Sequence, residues 1–341
     1  MAKITLGIGT SHGPMLSTPP DQWGQRVMAD KRAAPGTGHE LYFMGKPFYF
    51  DELTKEREKE NLAAEITPDK MQQHHAACQE AIAKLAQTFE RVSPDVAVIF
   101  GDDQEELIQE DNMPAFMVFW GDGVENGPFA PEEEAKMPPG IAIANWGHTP
   151  PERVVNPTEP KLGLHIIEHL MESEFDVAHS KSLPVGRHGV PNIPHAYGFV
   201  YRRIMNDEVI PNVPIFINTF YPPNQPTLKR CYKFGQAVGR AIRSWDNDKN
   251  VGVFASGGLT HFVIEEDLDK EFLDCLEKGD SERMLNLPVE RFQAGSSEMR
   301  NWIALAGALE DTGLKMKLVD YVPCYRSTAG TGNAMGFVEW S

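Results

Sequence analysis

The chain has 341 residues, and its 49 acidic side chains against 32 basic ones leave a formal charge of −17. A surface of that sign repels phosphate backbones and anionic membranes, so neither nucleic acid nor a membrane is an expected partner. No run of about 18 apolar residues occurs, and the first residues lack the basic and apolar regions of a signal peptide. A cytoplasmic protein with a large buried core is expected.

Strand-like and helix-like stretches alternate along the chain, which marks an α/β fold, read as one large domain over residues 1–341. The first strand, Ile4 to Gly9, runs into Ser11-His12-Gly13-Pro14. An insertion over residues 17–67 follows, and its aromatic cluster of Tyr42, Phe43, Phe48, Tyr49 and Phe50 suits packing or an interface. A helix from Pro68 to Glu90 leads to strands at Val96 to Phe100 and Ala115 to Phe119. The stretch 122–160, rich in Pro and Gly, is read as a surface excursion from the same domain. Beyond it come a helix at Gly163 to Glu174, a strand at Val213 to Asn218, a helix at Cys231 to Trp245 and a strand at Val251 to Ala255. Helices at Asp267 to Leu276 and Ser297 to Leu309 and a strand at Lys317 to Val322 complete the pattern.

Cys78, Cys231, Cys275 and Cys324 are widely spaced with no Cys-x-x-Cys pair, so reduced and mostly buried thiols are expected. Of the eleven histidines, His39, His74, His75, His148, His165, His169 and His179 stand in helical or turn contexts that need no chemistry. His12, His188, His195 and His261 adjoin glycine or proline turns beside strands or loops returning to the sheet. His12 and His261 carry the stronger signal, because the ends of strands in α/β sheets are where ligands bind. With Glu298, just before the apolar stretch Trp302 to Leu309, they suggest a metal site with chemistry attached.

A series of motifs extends this reading. After Ser11-His12-Gly13-Pro14 come Pro94-Asp95-Val96 through Gly101-Asp102-Asp103-Gln104, then Asn218-Thr219-Phe220-Tyr221-Pro222-Pro223-Asn224-Gln225-Pro226. Gly257-Gly258-Leu259-Thr260-His261, Ser297-Glu298-Met299-Arg300-Asn301-Trp302 and Tyr325-Arg326-Ser327-Thr328-Ala329-Gly330-Thr331-Gly332 follow. In this order, over nearly the whole chain, they resemble the class III (LigB-type) extradiol ring-cleavage dioxygenases, which include protocatechuate 4,5-dioxygenase, gallate dioxygenase and 3-O-methylgallate dioxygenase.

The resemblance implies a central mixed sheet flanked by helices, with His12 and Glu298 as ligands of Fe(II). It makes His261 the acid/base histidine and His195 a further active-site histidine near the substrate. One imidazole and one carboxylate leave open positions for a vicinal diol and O2, and a non-ligating histidine can take and return a phenol proton. The family's second histidine ligand falls on Gln104. Its amide oxygen is a weaker ligand than imidazole, and Asp103 or Asp102 is the alternative donor. In a third reading these acids cap the next turn.

The function implied is O2-dependent extradiol cleavage of a catechol- or gallate-type acid, including methoxylated ones. Arg326, Ser327 and Thr328 are candidates for holding the substrate carboxylate, and a homo-oligomer such as a dimer is expected. Two alternatives stay open. Loss of the histidine at Gln104 favours a noncatalytic subunit or scaffold of the same fold, and a metal enzyme with a different reaction on a related aromatic is the other.

Overall fold

The computed structural model describes residues 1–34 and 40–341; His39 lies outside them. Thirteen strands occur among the described residues: β1 (Lys3–Thr10), β2 (Leu41–Phe43), β3 (Lys46–Phe48), β4 (Val96–Gly101), β5 (Phe116–Phe119), β6 (Gly123–Asn126), β7 (Val154–Pro157), β8 (Ala178–Ser180), β9 (Asn212–Ile217), β10 (Asn250–Ser256), β11 (His261–Val263), β12 (Met316–Tyr325) and β13 (Thr331–Trp340). Nine of them form one sheet in the order β11-β13-β1-β10-β4-β9-β5-β8, with β12 paired to β13. β1, β10, β4 and β9 run parallel, while β13 is antiparallel to β1, β11 and β12, and β5 to β9. The sheet is therefore mixed, as expected.

Parallel strands covered on both faces read as continuous apolar runs, and Val96-Ala97-Val98-Ile99-Phe100-Gly101 is buried throughout. That continuity made β1, β4, β9 and β10 legible. β13 was not anticipated, although all ten of its residues are buried. Its first half, Thr331-Gly332-Asn333-Ala334, has small side chains because neighbouring backbone presses on it: a Cβ at Gly332 would stand 2.2 Å from the Cys324 carbonyl oxygen. The tail motif quoted above is the turn between β12 and β13.

Five longer helices flank the sheet: α1 (Pro68–Val92), α2 (Pro160–Glu172), α3 (Leu228–Ser244), α4 (Glu266–Lys278) and α5 (Met299–Leu309). α1 starts where the Thr67 hydroxyl accepts from the Lys70 amide, with Pro68 in its first turn. It buries Cys78, Ala81, Ile82, Leu85 and Phe89, a helical stripe in which each large apolar side chain contributes about 1.5–3 kcal/mol. On the other face α3 and α5 cross closely. A Cβ at Gly235 or Gly239 would lie 1.9 or 2.4 Å from the carbonyl oxygens of Ala304 and Ala308. Close seating of α5 matters because Glu298 immediately precedes it.

In the first insertion, Phe43, Phe48 and Phe50 pack with Leu41, Leu53, Val263 and Ala329, whereas Tyr49 is half exposed. The second insertion reaches the first where the Trp146 indole donates to the Ser17 carbonyl at 2.7 Å. All four thiols are buried, with the Cys78 and Cys324 sulfurs 3.7 Å apart. Among the described residues, no helix is long and apolar enough to cross a membrane.

Candidate metal centre

The parallel strands end along one rim, and several of the chain's chemical groups meet there. β1 leads into His12, β4 into Asp102, Asp103 and Gln104, and β10 ends at Ser256. Glu298 closes the single-turn helix Ala294–Glu298 ahead of α5.

His12, Asp102 and Glu298 are all buried, and each offers a ligand atom within 4.8 Å of the others. Ser256 Oγ stands 2.9 Å from His12 Nδ1 and fixes the ring with Nε2 toward the cluster, 3.2 Å from Glu298 Oε2. Glu298 accepts from the Gly258 amide at Oε2 and from the Gln104 amide at Oε1, both at 2.6 Å. Asn301 ties Asp102 Oδ1 to the Ser256 carbonyl, donating at 3.1 and 3.0 Å. Asp102 Oδ2 has no partner among the described residues despite being buried. An orphaned carboxylate oxygen is costly unless something cationic meets it, and a divalent ion beside His12 and Glu298 would do so. One imidazole and two carboxylates make a hard donor set that suits Fe(II) or Mn(II).

Burial pushes the Asp102 carboxyl far above its usual range, and the nearby Glu298 charge adds to this. Burial acts upward on Glu298 too, but His261 and His12 outweigh it and hold that carboxyl well below its usual range. Burial lowers His12 despite the attraction of Glu298, which favours the neutral imidazole that binds metals.

Two more histidines close on the cluster. His261 Nε2 lies 3.2 Å from Glu298 Oε1, and its Nδ1–H donates to the Leu259 carbonyl at 2.8 Å. In the neutral ring that bond leaves the lone pair on Nε2, facing the site; burial acts downward on this imidazole, but the Glu298 carboxylate outweighs it and raises the ring above its ordinary value. His195 opens the short helix His195–Phe199 after Pro194, and its Nε2 is 3.1 Å from His12 Nε2. Glu106 accepts from both the His195 backbone amide, at 3.1 Å, and the ring Nδ1. Burial acts downward on His195, but the Glu106 carboxylate overcomes it and brings the imidazole up to about 9. Six sequence-derived candidates, His12, Asp102, Gln104, His195, His261 and Glu298, therefore converge.

Others take different places. Both oxygens of Asp103 accept backbone amides, from Leu107 at 2.9 Å and Ile108 at 2.7 Å. It caps the turn, and its neighbour Asp102 joins the cluster. Arg326 is spent on a buried two-point ion pair with Asp30, donating from Nε and Nη2 at 2.8 Å each. The Ser327 hydroxyl bonds Thr331 Oγ1 at 2.7 Å and Thr328 is exposed. His188 stands off the cluster, 5.0 Å ring to ring from Phe129.

Sequence reasoning missed Glu106 and His148. The His148 ring centroid lies 6.0 Å from that of His195, and burial and His195 together bring it down to about 3. It comes from the second insertion, seated where the Gly198 backbone meets the His148 carbonyl, a long-range contact with no local signature. Glu106 had a faint signal in its position two residues beyond Gln104.

Residues 62–336 match the family described as the catalytic LigB subunit of aromatic ring-opening dioxygenase. The chain belongs to the LigB family. Among LigB relatives, the gallate dioxygenase of Pseudomonas putida is 30% identical over 161 residues, covering 43% of this chain and 45% of that protein. The 2,3-dihydroxyphenylpropionate/2,3-dihydroxicinnamic acid 1,2-dioxygenase of Azotobacter vinelandii is 28% identical over 186 residues, covering 54% and 50%. Its Rhodococcus jostii counterpart is 27% identical over 176 residues, covering 50% and 44%. The matched stretches span about half the length of these relatives.

Proposed function

We propose that this LigB protein is a non-haem Fe(II)-dependent extradiol dioxygenase that opens the ring of a catechol- or gallate-type acid with O2. The observation that carries the reading is the buried set of His12, Asp102 and Glu298 at the sheet rim, with the histidines His195 and His261 both within hydrogen-bond reach of it. The names of the relatives support the substrate class, vicinal diols on an aromatic ring bearing an acid group.

Bound Fe(II) supplies Lewis acidity and a route for electrons between a chelated diol and O2. The chain's own residues handle protons and position. His261 Nε2, its lone pair set by the Leu259 carbonyl, takes the proton of a diol hydroxyl and returns it later. His195, held protonated by Glu106, presents an Nε2–H beside His12 as a donor to oxygen atoms that gain charge. Gln104 and the Gly258 amide orient Glu298 from behind. The walls that bury these groups exclude bulk water.

A noncatalytic subunit is the reading that Gln104 favours, since it stands where the resemblance places a ligating histidine. Anaerobic Fe(II) reconstitution followed by oxygen uptake on a panel of catechols and gallates tests the choice. Uptake with a ring-opened product of the substrate mass plus O2 supports the dioxygenase. Iron binding without uptake on any diol overturns it, and uptake with a different product mass points to another reaction.

A further inference from the structure

The chain carries a second guanidinium beside Arg326 that the ion pair with Asp30 does not satisfy. Arg26 ends the seven-residue 3-10 helix Pro20–Arg26 in the first insertion, and its Nε is buried with no partner among the described residues. The Gly140 backbone of the second insertion lies along its stem, where a Cβ would come within 3.0 Å of Cδ. The charges that reach Arg26 are Arg326 and Asp30. Asp30 is already engaged by both Arg326 nitrogens and by the Thr331 hydroxyl at 2.7 Å. Two cations thus share one carboxylate, in a protein whose formal charge is −17. Burial and the Arg326 charge bring Arg26 down to about 10, the mark of a cation short of an anion.

Arg326 connects these charges to the candidate metal centre. Arg326 donates from Nη1 to Asn333 Oδ1 at 3.2 Å, and Asn333 pairs with His261 across β11 and β13. The Asn333 amide also lies against Gly13, where a Cβ would be 2.9 Å from its nitrogen, and Gly13 follows His12.

We propose that Arg26, backed by the Arg326–Asp30 pair, is the residue that binds the carboxylate of the aromatic acid and so sets the preference for acids over uncharged diols. The proposal rests on the functional reading above for the location of the ring. A partly buried guanidinium offers a carboxylate a charge-assisted fork that Lys or Gln does not reproduce, and the Asp30 carboxylate, engaged by Arg326 and Thr331, leaves Arg26 to carry the uncompensated positive charge.

The test is equilibrium binding, under anaerobic conditions, of benzoate, 3,4-dihydroxybenzoate and catechol to the wild type, Arg26→Gln and Arg26→Lys, with circular dichroism to check folding. Loss of a charge-assisted contact corresponds to about a 10- to 100-fold loss of affinity. Arg26→Gln should lose that much for benzoate and 3,4-dihydroxybenzoate and nothing for catechol. Arg26→Lys, which keeps the stem and charge, should show a smaller loss confined to the two acids, and it decides the matter if the Gln variant does not fold. Wild-type protein that binds no benzoate, or Arg26 variants that bind the acids normally or lose catechol equally, would overturn the proposal. Arg26-dependent benzoate binding without oxygen uptake on any diol would uphold it while removing the dioxygenase reading.

Discussion

The Gln104 amide nitrogen donates to Glu298 Oε1 over 2.6 Å, so the residue standing where the resemblance places a histidine ligand faces a carboxylate. An ionised carboxylate only accepts, which turns the amide NH2 toward Oε1 and the Gln104 carbonyl oxygen away from that atom. Gln104 thereby orients Glu298, a member of the candidate centre, and among the described residues of that centre the carboxylate oxygen left without a partner belongs to Asp102.

Gln104→Ala should weaken Fe(II) affinity by about 10- to 100-fold, the scale of lost support behind a ligand. Asp102→Ala should cost much more than that. Competition with a metal-responsive chelator ranks the two, and equal losses would show that Asp102 is no more than another supporting group.

The pair formed by Glu106 and His195 should appear in the pH dependence of stability, measured on metal-free protein by urea unfolding. His195 rises from its ordinary 6.5 to about 9, and Glu106 falls from 4.5 to about 2, where the His195 attraction overcomes the upward push of burial. The raised imidazole contributes fully below 6.5 and loses that contribution as pH climbs through about 9. The depressed carboxylate contributes fully above 4.5 and loses it as pH falls through about 2. Glu106→Gln should therefore be least stable relative to the wild type between those ordinary values, by on the order of 3 kcal/mol. The gap should narrow in alkali, and a gap independent of pH would contradict the pairing.

The framework of the sheet was legible because β1, β4, β9 and β10 are largely apolar, buried runs, and β1, β4 and β10 lead into glycine or polar turns beside the candidate centre. His12, His261 and Glu298 could be read from that position alone. β13 could not, since close backbone neighbours select Gly and Ala where a strand pattern calls for large side chains. The choice between Asp102 and Asp103 was equally hidden. Adjacent aspartates after a strand look alike until the amides of Leu107 and Ile108 claim one and Asn301 positions the other. Arg326 lay in a recognisable motif, but its partner Asp30 is 296 residues away in the sequence.

Arg326→Ala should cost about 3–5 kcal/mol in chemical denaturation, because it strips the buried Asp30 carboxylate of its two-point ion pair. Thr328→Ala, at an exposed position, should stay within about 0.5 kcal/mol of the wild type. Equal effects would show that the ion pair contributes little.

Gly235→Ala should destabilise the fold by about 3 kcal/mol, the upper end for forced overpacking, since the new Cβ meets the fixed Ala304 carbonyl oxygen. Because α5 follows Glu298, iron affinity should fall along with the unfolding midpoint. Unchanged stability would mean that α3 and α5 can separate freely.

The most direct test is the iron content of anaerobically reconstituted wild type, Asp102→Ala and Asp103→Ala, measured on folded protein after removal of free metal. A centre built from His12, Asp102 and Glu298 predicts about one Fe(II) per chain in the wild type and in Asp103→Ala, and none retained in Asp102→Ala. Wild-type protein without iron, or Asp102→Ala with a full complement, would contradict it.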